Sequence, residues 1–247
     1  MGVVDPVNGS PLLDAATPPV TLPVSEVFGP TWQGEGPHTG LRTGFVRLGL
    51  CNLRCEWCDT PYTWDTTRYD VDKECPPTTV QEVHERLRRI GVRTVCLSGG
   101  EPLVHAKHLP ALLVDEWTWH AETNGTIAPP WWWDQRVEHT TVSPKINTRD
   151  PYKRRIKPEA LAAWNTLARA GAAAFKFVCR TPADLGSVAA LATMEHIAPE
   201  HIWIMPEGVN AGELLHRHRV LAQGIADRGY NTTTRLHALL YGEERGR

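Results

Sequence analysis

The sequence predicts an α/β fold, a partial, open (β/α)6 TIM-like barrel with parallel strands and its functional site at the strand C-terminal ends. Three observations predict it. Short apolar, β-branched runs alternate about six times with segments of helical period, the pattern of a parallel sheet with crossover helices. Six units are too few for a closed eight-fold barrel; an open doubly wound sheet is the competing arrangement. Polar or glycine-rich clusters follow five of the strand candidates, where parallel α/β sheets bind their ligands.

The elements follow in order. Residues 1–21, rich in Pro, Gly and Ala, read as a flexible N-terminal arm without the basic and apolar regions of a secretory signal. Residues 22–247 read as one domain. Val24 to Phe28 is a short strand, and Gly29 to Gly36 a loop by its glycines and proline. Gly44 to Leu50 is a strand feeding a cysteine-rich loop. Thr60 to Pro77 reads as an excursion over the surface. Thr78 to Ile90 is a helix, capped by Thr78 or Thr79, with Val80, Val83, Leu87 and Ile90 at helical spacing. Val92 to Leu97 is a buried parallel strand, followed by Ser98-Gly-Gly-Glu-Pro102. A helix around Lys107 to Val114 tolerates Pro110 only near its first turn. Trp117 to Glu122 is a strand ending in Thr123-Asn-Gly125. Trp131 to Trp133 reads as a helix start or packed loop. Glu138 to Val142 is a strand ending in Ser143-Pro-Lys145. The helix Lys157 to Ala170 has Pro158 in its first turn and Gly171 past its end. Strand Ala174 to Val178, helix Pro182 to Met194, strand His201 to Met205 and helix Ala211 to Arg228 follow. Thr232 to Leu240 closes the chain as a strand or extended segment.

Composition narrows the function. With 247 residues, 41% hydrophobic, the chain can bury a sizeable core. A net charge of -2 gives no nucleic-acid footprint and no basic membrane patch. No apolar run reaches the roughly 18 residues of a membrane span. The expectation is a cytoplasmic protein acting on a small molecule, with no nucleic acid and no membrane as partner. In a reducing compartment six cysteines point to metal or redox chemistry rather than disulfides. Cys96 and Cys179 sit in strand-like runs and read as core. Cys75 lies in a polar loop without ligand spacing. His105, His108, His120 and His139 read as satisfied or solvent-facing, and Lys153-Arg154-Arg155 as a solvated face.

The chemistry collects around Cys51, Cys55 and Cys58. Three thiolates spaced C-x3-C-x2-C on one loop can hold a metal or an iron–sulfur cluster. A 4Fe–4S cluster normally takes four cysteines, so three leave one iron open to a non-protein ligand. Gly99 and Gly100 would let backbone approach a ligand without a Cβ in the way, and Glu101 could pair with an ammonium.

The cysteine triad with Gly99-Gly-Glu-Pro102 resembles the radical S-adenosylmethionine superfamily. More narrowly, Glu26-Val-Phe28, Gln33-Gly-Glu-Gly36, Gly44-Phe-Val-Arg47, Cys51 through Thr60, Ser98 through Pro102, Glu122 through Gly125, Ser143 through Lys145 and Leu236 through Gly242 are similar to the 7-carboxy-7-deazaguanine synthase family. The resemblance implies a 4Fe–4S cluster on Cys51, Cys55 and Cys58, with S-adenosylmethionine on the fourth iron. It implies radical ring contraction of 6-carboxy-5,6,7,8-tetrahydropterin to 7-carboxy-7-deazaguanine, with loss of ammonia and help from Mg2+. By position, Trp57, Cys58, Asp59, Gly100, Glu101, Glu122, Ser143, Pro144 and Lys145 would contact S-adenosylmethionine. Trp32, Gln33, Gly34, Arg47 and Ser98 would bind the pterin, with Arg47 on its carboxylate. Thr60 would offer its hydroxyl to Mg2+, a hard ion suited to oxygen. Glu35 is either a substrate ligand or a stabiliser of its loop, and His237 lies in the matching C-terminal segment. A homodimer and an external electron donor such as flavodoxin or ferredoxin are implied partners.

Two other readings compete. A glycyl-radical-enzyme activase or other radical enzyme would share the scaffold, but activases often carry extra ferredoxin-like cysteine clusters that are absent here. A non-catalytic zinc-binding module would want four tetrahedral ligands, and no second C-x2-C completes them.

Overall fold

A computed structural model of the chain describes residues 18–242 and 244–246. Among these, nine strands form one sheet: β1 (Thr21–Trp32), β2 (Arg42–Leu48), β3 (Pro77–Thr79), β4 (Thr94–Gly99), β5 (Thr118–Thr123), β6 (His139–Val142), β7 (Ala173–Cys179), β8 (Ile202–Pro206) and β9 (Asn231–Thr232). The helices are α1 (Val71–Glu74), α2 (Val80–Ile90), α3 (Leu109–Leu112), α4 (Tyr152–Arg155), α5 (Pro158–Arg169), α6 (Pro182–Met194), α7 (Ala211–Ala226) and α8 (Leu236–Tyr241).

The sheet order is β3-β1-β2-β4-β5-β6-β7-β8-β9. β1 runs antiparallel to β2 and β3, and every pair from β2 to β9 is parallel. A doubly wound sheet needs a point where strand order reverses. Here the order from β2 onward follows the chain, so each crossover steps the same way and the sheet stays an open, partial barrel. Its helical side holds the apolar core: Trp164, Phe175, Phe177, Leu185 and Leu221 belong to one buried cluster. Period-two alternation sends the other side chains of the same strands inward. On β7, Phe175, Phe177 and Cys179 join the core while Lys176 and Val178 face the barrel cavity.

Local signals set most helix ends. The Thr79 hydroxyl accepts from the Glu82 amide at 3.2 Å and Gly91 ends α2 in the left-handed region at φ 67°, devices worth about 1 kcal/mol for the cap. The Asp184 carboxylate accepts from the Thr181 amide at 3.0 Å at the start of α6, and Asn210 Oδ1 accepts from Glu213 N at 3.0 Å at the start of α7.

Several expectations need correcting. β1 continues through Gly29 and Pro30 to Trp32, because the ladder to β2 absorbs those residues as a register shift between Phe28 and Thr31; proline is tolerated at such bulges. The stretch from Thr60 to Pro77 is not only surface: Tyr62, Thr63, Asp65, Val71 and Cys75 are buried, and β3 pairs with β1. The helix expected around Lys107 shrinks to α3 after a 3-10 turn at Pro102–His105. The C-terminal segment is the two-residue β9 and then α8, not a long strand. Of the expected N-terminal arm, residues 1–17 lie outside the described residues, and Thr21 already opens β1. In the tryptophan run Trp133 is buried in the core while Trp131 is 83% exposed.

Candidate active site

The strand C-termini open into a cavity of ≈ 710 Å³. Cys51, Cys55 and Cys58 form part of its wall, all three as free thiols. Hydrogen-bond donors are aimed at the sulfurs. Leu53 N lies 3.4 Å from Cys51 Sγ, Trp64 Nε1 lies 3.4 Å from Cys58 Sγ, and Asn124 Nδ2 reaches Cys51 Sγ at 4.0 Å. Such donors suit thiolates bound to iron, whose charge they stabilise. Burial, the largest cause, pushes the other way, raising the Cys51 thiol to about 12 and the Cys55 thiol above its ordinary value; bound iron would offset that penalty. Among the described residues, no three His, Cys, Asp or Glu side chains surround a point one metal ion could fill. A cluster asks for no such point, since each thiolate ligates a separate iron.

The loop is held from outside by the segment after β6. Asp150 Oδ2 accepts from Arg54 N at 2.7 Å, and Glu56 Oε2 accepts from Thr148 Oγ1 and Arg149 N, both at 3.1 Å. Arg154 Nη2 donates to Asn52 O at 2.8 Å, and the Trp57 indole donates to Asn147 O. Lys145 Nζ lies 5.6 Å from the Trp57 ring centre and donates to Ser143 Oγ at 3.0 Å. Arg154 and Arg155 are therefore structural ties rather than a purely solvated face.

Opposite the cysteines, inward positions of successive strands form a polar layer. Ser98 Oγ donates to Glu122 Oε2 at 2.8 Å and Gln33 Nε2 donates to Glu122 Oε1 at 3.3 Å. Glu122, expected on the cofactor side, thus sits with two residues expected at the substrate. Arg47 Nε donates to Glu26 Oε2 at 2.8 Å, and its guanidinium lies 5.6 Å from the Phe28 ring centre. Burial lowers the Arg47 pKa, but Tyr62, Glu26 and Asp59 more than offset this and keep it a firm cation. Thr60 is buried at the cavity wall, with its hydroxyl 3.7 Å from Cys58 Sγ. Its carbonyl accepts from Thr63 N at 3.0 Å, so it also serves as a turn residue.

Two expected cofactor residues do not reach the cavity. Glu101 is 0% exposed. Its carboxylate accepts from Leu103 N at 3.1 Å, Thr123 Oγ1 at 2.8 Å and Asn124 N at 2.7 Å, tying the end of β4 to the end of β5. Burial raises its pKa despite those bonds. Pro144 is buried beside Gly125 rather than lining the cavity. The Gly99-Gly100 pair also differs from expectation in its reason. A Cβ on Gly100 would overlap the Leu50 carbonyl, and one on Gly99 the Leu48 carbonyl, so these glycines make room for the entry to the cysteine loop.

Sequence reasoning missed Lys176 and Arg235. Lys176 Nζ pairs with Glu35 Oε2 in the cavity wall. Arg235 Nε reaches Glu35 Oε1 at 3.1 Å, while its other nitrogens donate to Asp59 and to Gly208 O. His237 Nε2 lies 3.8 Å from Glu35 Oε1. Burial raises the Glu35 pKa, but Lys176, Arg235 and His237 together drive it far below the usual carboxylate range. A Cβ on Gly34 would overlap the His237 ring, and Leu236 N donates to Gly34 O at 2.9 Å. Glu35 therefore anchors the C-terminal segment as well as lining the cavity. The signal for Lys176 was a lone lysine in an apolar strand; Arg235 gave no local signal. Cys75 is buried against Gly49, away from the cavity.

The family model of the Radical SAM superfamily matches residues 46–180. A 7-carboxy-7-deazaguanine synthase of Hyperthermus butylicus is 36% identical over 230 residues, covering 89% of this chain and 92% of that protein. This chain belongs to the 7-carboxy-7-deazaguanine synthase family. The synthase of Halobacterium salinarum is 32% identical, over 90% of this chain and 91% of its own length. The crystal structure of QueE from Escherichia coli superposes with a TM-score of 0.66 at 23% identity, over 88% of this chain and 95% of that one. Within the radical SAM superfamily, the family carries a 4Fe–4S cluster and S-adenosylmethionine, and the three free thiols with their sulfur-directed donors fit that cluster.

Proposed function

We propose that this chain converts 6-carboxy-5,6,7,8-tetrahydropterin to 7-carboxy-7-deazaguanine with loss of ammonia, in the supply of queuosine and related 7-deazapurines. The observation that carries the reading is that Gln33, Arg47, Ser98 and Glu122 line the same cavity as Cys51, Cys55 and Cys58. When bound, the cluster and S-adenosylmethionine supply a 5′-deoxyadenosyl radical. The chain's own residues bind, orient and shield.

Cys51, Cys55 and Cys58 hold the cluster, with Asn124 and Trp64 donating to the sulfurs. Trp57, Asp59, Gly100, Ser143 and Lys145 border the cofactor's share of the cavity. Arg47 spends Nε on Glu26 and keeps its terminal nitrogens for a carboxylate, which suits the planar fork. Gln33 and Glu122 meet the pterin edge, the amide able to donate and accept. Trp32 and Gly34 complete that wall. Thr60 offers its hydroxyl to Mg2+ beside the substrate carboxylate, an ion that keeps waters and substrate oxygens in its shell. The working form is a homodimer reduced by an external electron-transfer protein in the cytoplasm.

The test is anaerobic reconstitution followed by assay with S-adenosylmethionine, reductant, Mg2+ and the carboxypterin. A brown protein that forms the deazaguanine is expected. A colourless protein with one zinc per chain, or a brown one that leaves the carboxypterin untouched, would overturn the reading.

A further inference from the structure

The overall charge of -2 hides a local asymmetry. Arg149, Lys153, Arg154, Arg155 and Lys157 fall within nine residues that hold a single acid, Asp150. Asp150 is buried and turned inward, accepting from Arg54 N. Arg54, Arg149, Lys153, Arg154 and Lys157 are exposed. Among the described residues, none of Arg54, Arg149 and Lys153 forms an ion pair. An exposed acid of this face, Glu56, accepts from Thr148 Oγ1 and Arg149 N and also feels the Arg149 charge.

This basic face lies directly over the cysteine loop. Arg54 adjoins the buried Cys55 in sequence, and Arg154 Nη2 reaches Asn52 O, between Cys51 and Leu53, at 2.8 Å. Beside it an apolar notch of ≈ 220 Å³ is lined by Ile146, Tyr152, Ile156, Leu191 and Met194. Tyr152 and Met194 are half exposed there, and Arg155 sits 5.3 Å from the Tyr152 ring centre. A small apolar centre flanked by a net excess of positive charge is the make-up of a weak, electrostatically steered redox interface.

We propose that Arg54, Arg149 and Lys153, with the notch at Tyr152, form the docking surface for an acidic one-electron donor protein. The inference rests on the radical enzyme reading, because only a cluster on this loop needs such a donor. In the transfer the donor's cofactor is oxidised by one electron and the cluster is reduced by one, with no bond made or broken between the proteins. Positive charge on the outer face of the loop draws in an acidic partner and raises its association rate. Glu56 and Asp150 offset only part of that charge, since Arg54, Arg149, Lys153, Arg154, Arg155 and Lys157 outnumber them.

The test compares the parent with the triple variant Arg54→Gln, Arg149→Gln, Lys153→Gln. An acidic flavodoxin is titrated against each in cluster-free and reconstituted forms, at low salt and at about 0.3 M salt, where screening length falls well below 10 Å. The parent should bind at low salt and release the flavodoxin as salt rises. The variant should bind about tenfold more weakly with a shallower salt slope, as expected when interface charges are removed. Turnover driven by reduced methyl viologen, a small cation, should match the parent, while flavodoxin-driven turnover falls. Equal affinity and equal salt slope in parent and variant would overturn the proposal. So would a parent that binds no flavodoxin, or sedimentation showing a dimer that the triple variant dissociates, which would assign the face to a second copy. Absence of viologen-driven product in the reconstituted parent would instead refute the functional reading, and the binding arm would still report on the surface.

Discussion

Below Glu122 on the same inward face, the barrel floor is closed by three imidazoles. His38 lies 4.4 Å from His120 and 4.5 Å from His139, ring centre to ring centre. Burial is the main cause that lowers all three pKa values, and the neighbouring rings add to it for His38 and His139; His139 falls to about 3. Glu138 opposes the shift at His38 and His120, and binds His120 Nε2 at 3.4 Å. A histidine whose folded pKa is depressed contributes stability above its unfolded pKa and loses it as pH falls toward the folded value. For His139, moving from pH 7 to pH 5 should remove about 2 kcal/mol, since roughly 1.5 pH units lie below an unfolded pKa near 6.5 and each unit is worth about 1.4 kcal/mol. Urea unfolding of the cluster-free chain between pH 7.5 and 5 measures this. His139→Gln should flatten the decline, whatever it does to the value at pH 7.5. An unchanged pH slope in that variant would refute the argument that the floor is built on neutral imidazoles.

Other perturbations follow from the site. Lys176→Met leaves the buried Glu35 short of its main partner; removing one member of a buried pair costs about 3–5 kcal/mol, so with Arg235 still in place the melting temperature should fall by about 5–10 °C. The double variant with Glu35→Gln should recover part of that loss, which a double-mutant cycle reads directly. Cys55→Ala should give a folded, colourless chain with no turnover, seen by circular dichroism and visible absorption together; product from that variant would remove Cys55 from the cluster. Thr60→Val should keep the visible spectrum and lose most Mg2+ activation; a magnesium titration identical to the parent's would take Thr60 out of the metal site. Gly34→Ala should push His237 aside and expose Arg235 to trypsin, so an unchanged digestion rate would show that the C-terminal segment tolerates the extra methyl.

The sheet was legible because its signals are local. Apolar runs, a cap residue such as Thr79, and the proline of α5 each act within a few positions. Pairing partners are not local, which is why Gly29-Pro30 read as a loop although the ladder with β2 carries on through it as a bulge. A six-residue apolar run such as Leu236–Tyr241 is too short for periodicity to separate helix from strand, and α8 was missed for that reason. In the site, the cysteine spacing announced itself, and so did the glycines, but not what fills the space beside them. Backbone carbonyls of Leu48 and Leu50 crowd Gly99 and Gly100, and the His237 ring crowds Gly34. Glu101 looked like a free carboxylate because nothing in the sequence shows that Thr123 and Asn124 will consume it. Lys176 could have been found, since an unpaired lysine amid Ala-Phe and Phe-Val would be costly to bury. Arg235 could not, since its partners Glu35 and Asp59 stand 200 and 176 positions away.

Those separations also set an order of events during synthesis. The cysteine loop and β2 to β4 can form early, from contacts within about the first half of the chain. Thr233 Oγ1 must still meet Gly36 O at 3.2 Å, Leu236 N must meet Gly34 O, and Arg235 must meet Glu35 before the cavity has its last wall. Closing loops of that length is slow, and the segments that wait for them stay exposed meanwhile. A ribosome that has released β8 but not α8 therefore carries a thiol-bearing loop open to solvent on one side. The stretch from Thr233 to Tyr241 decides when the cavity that the cysteines share gains its last wall.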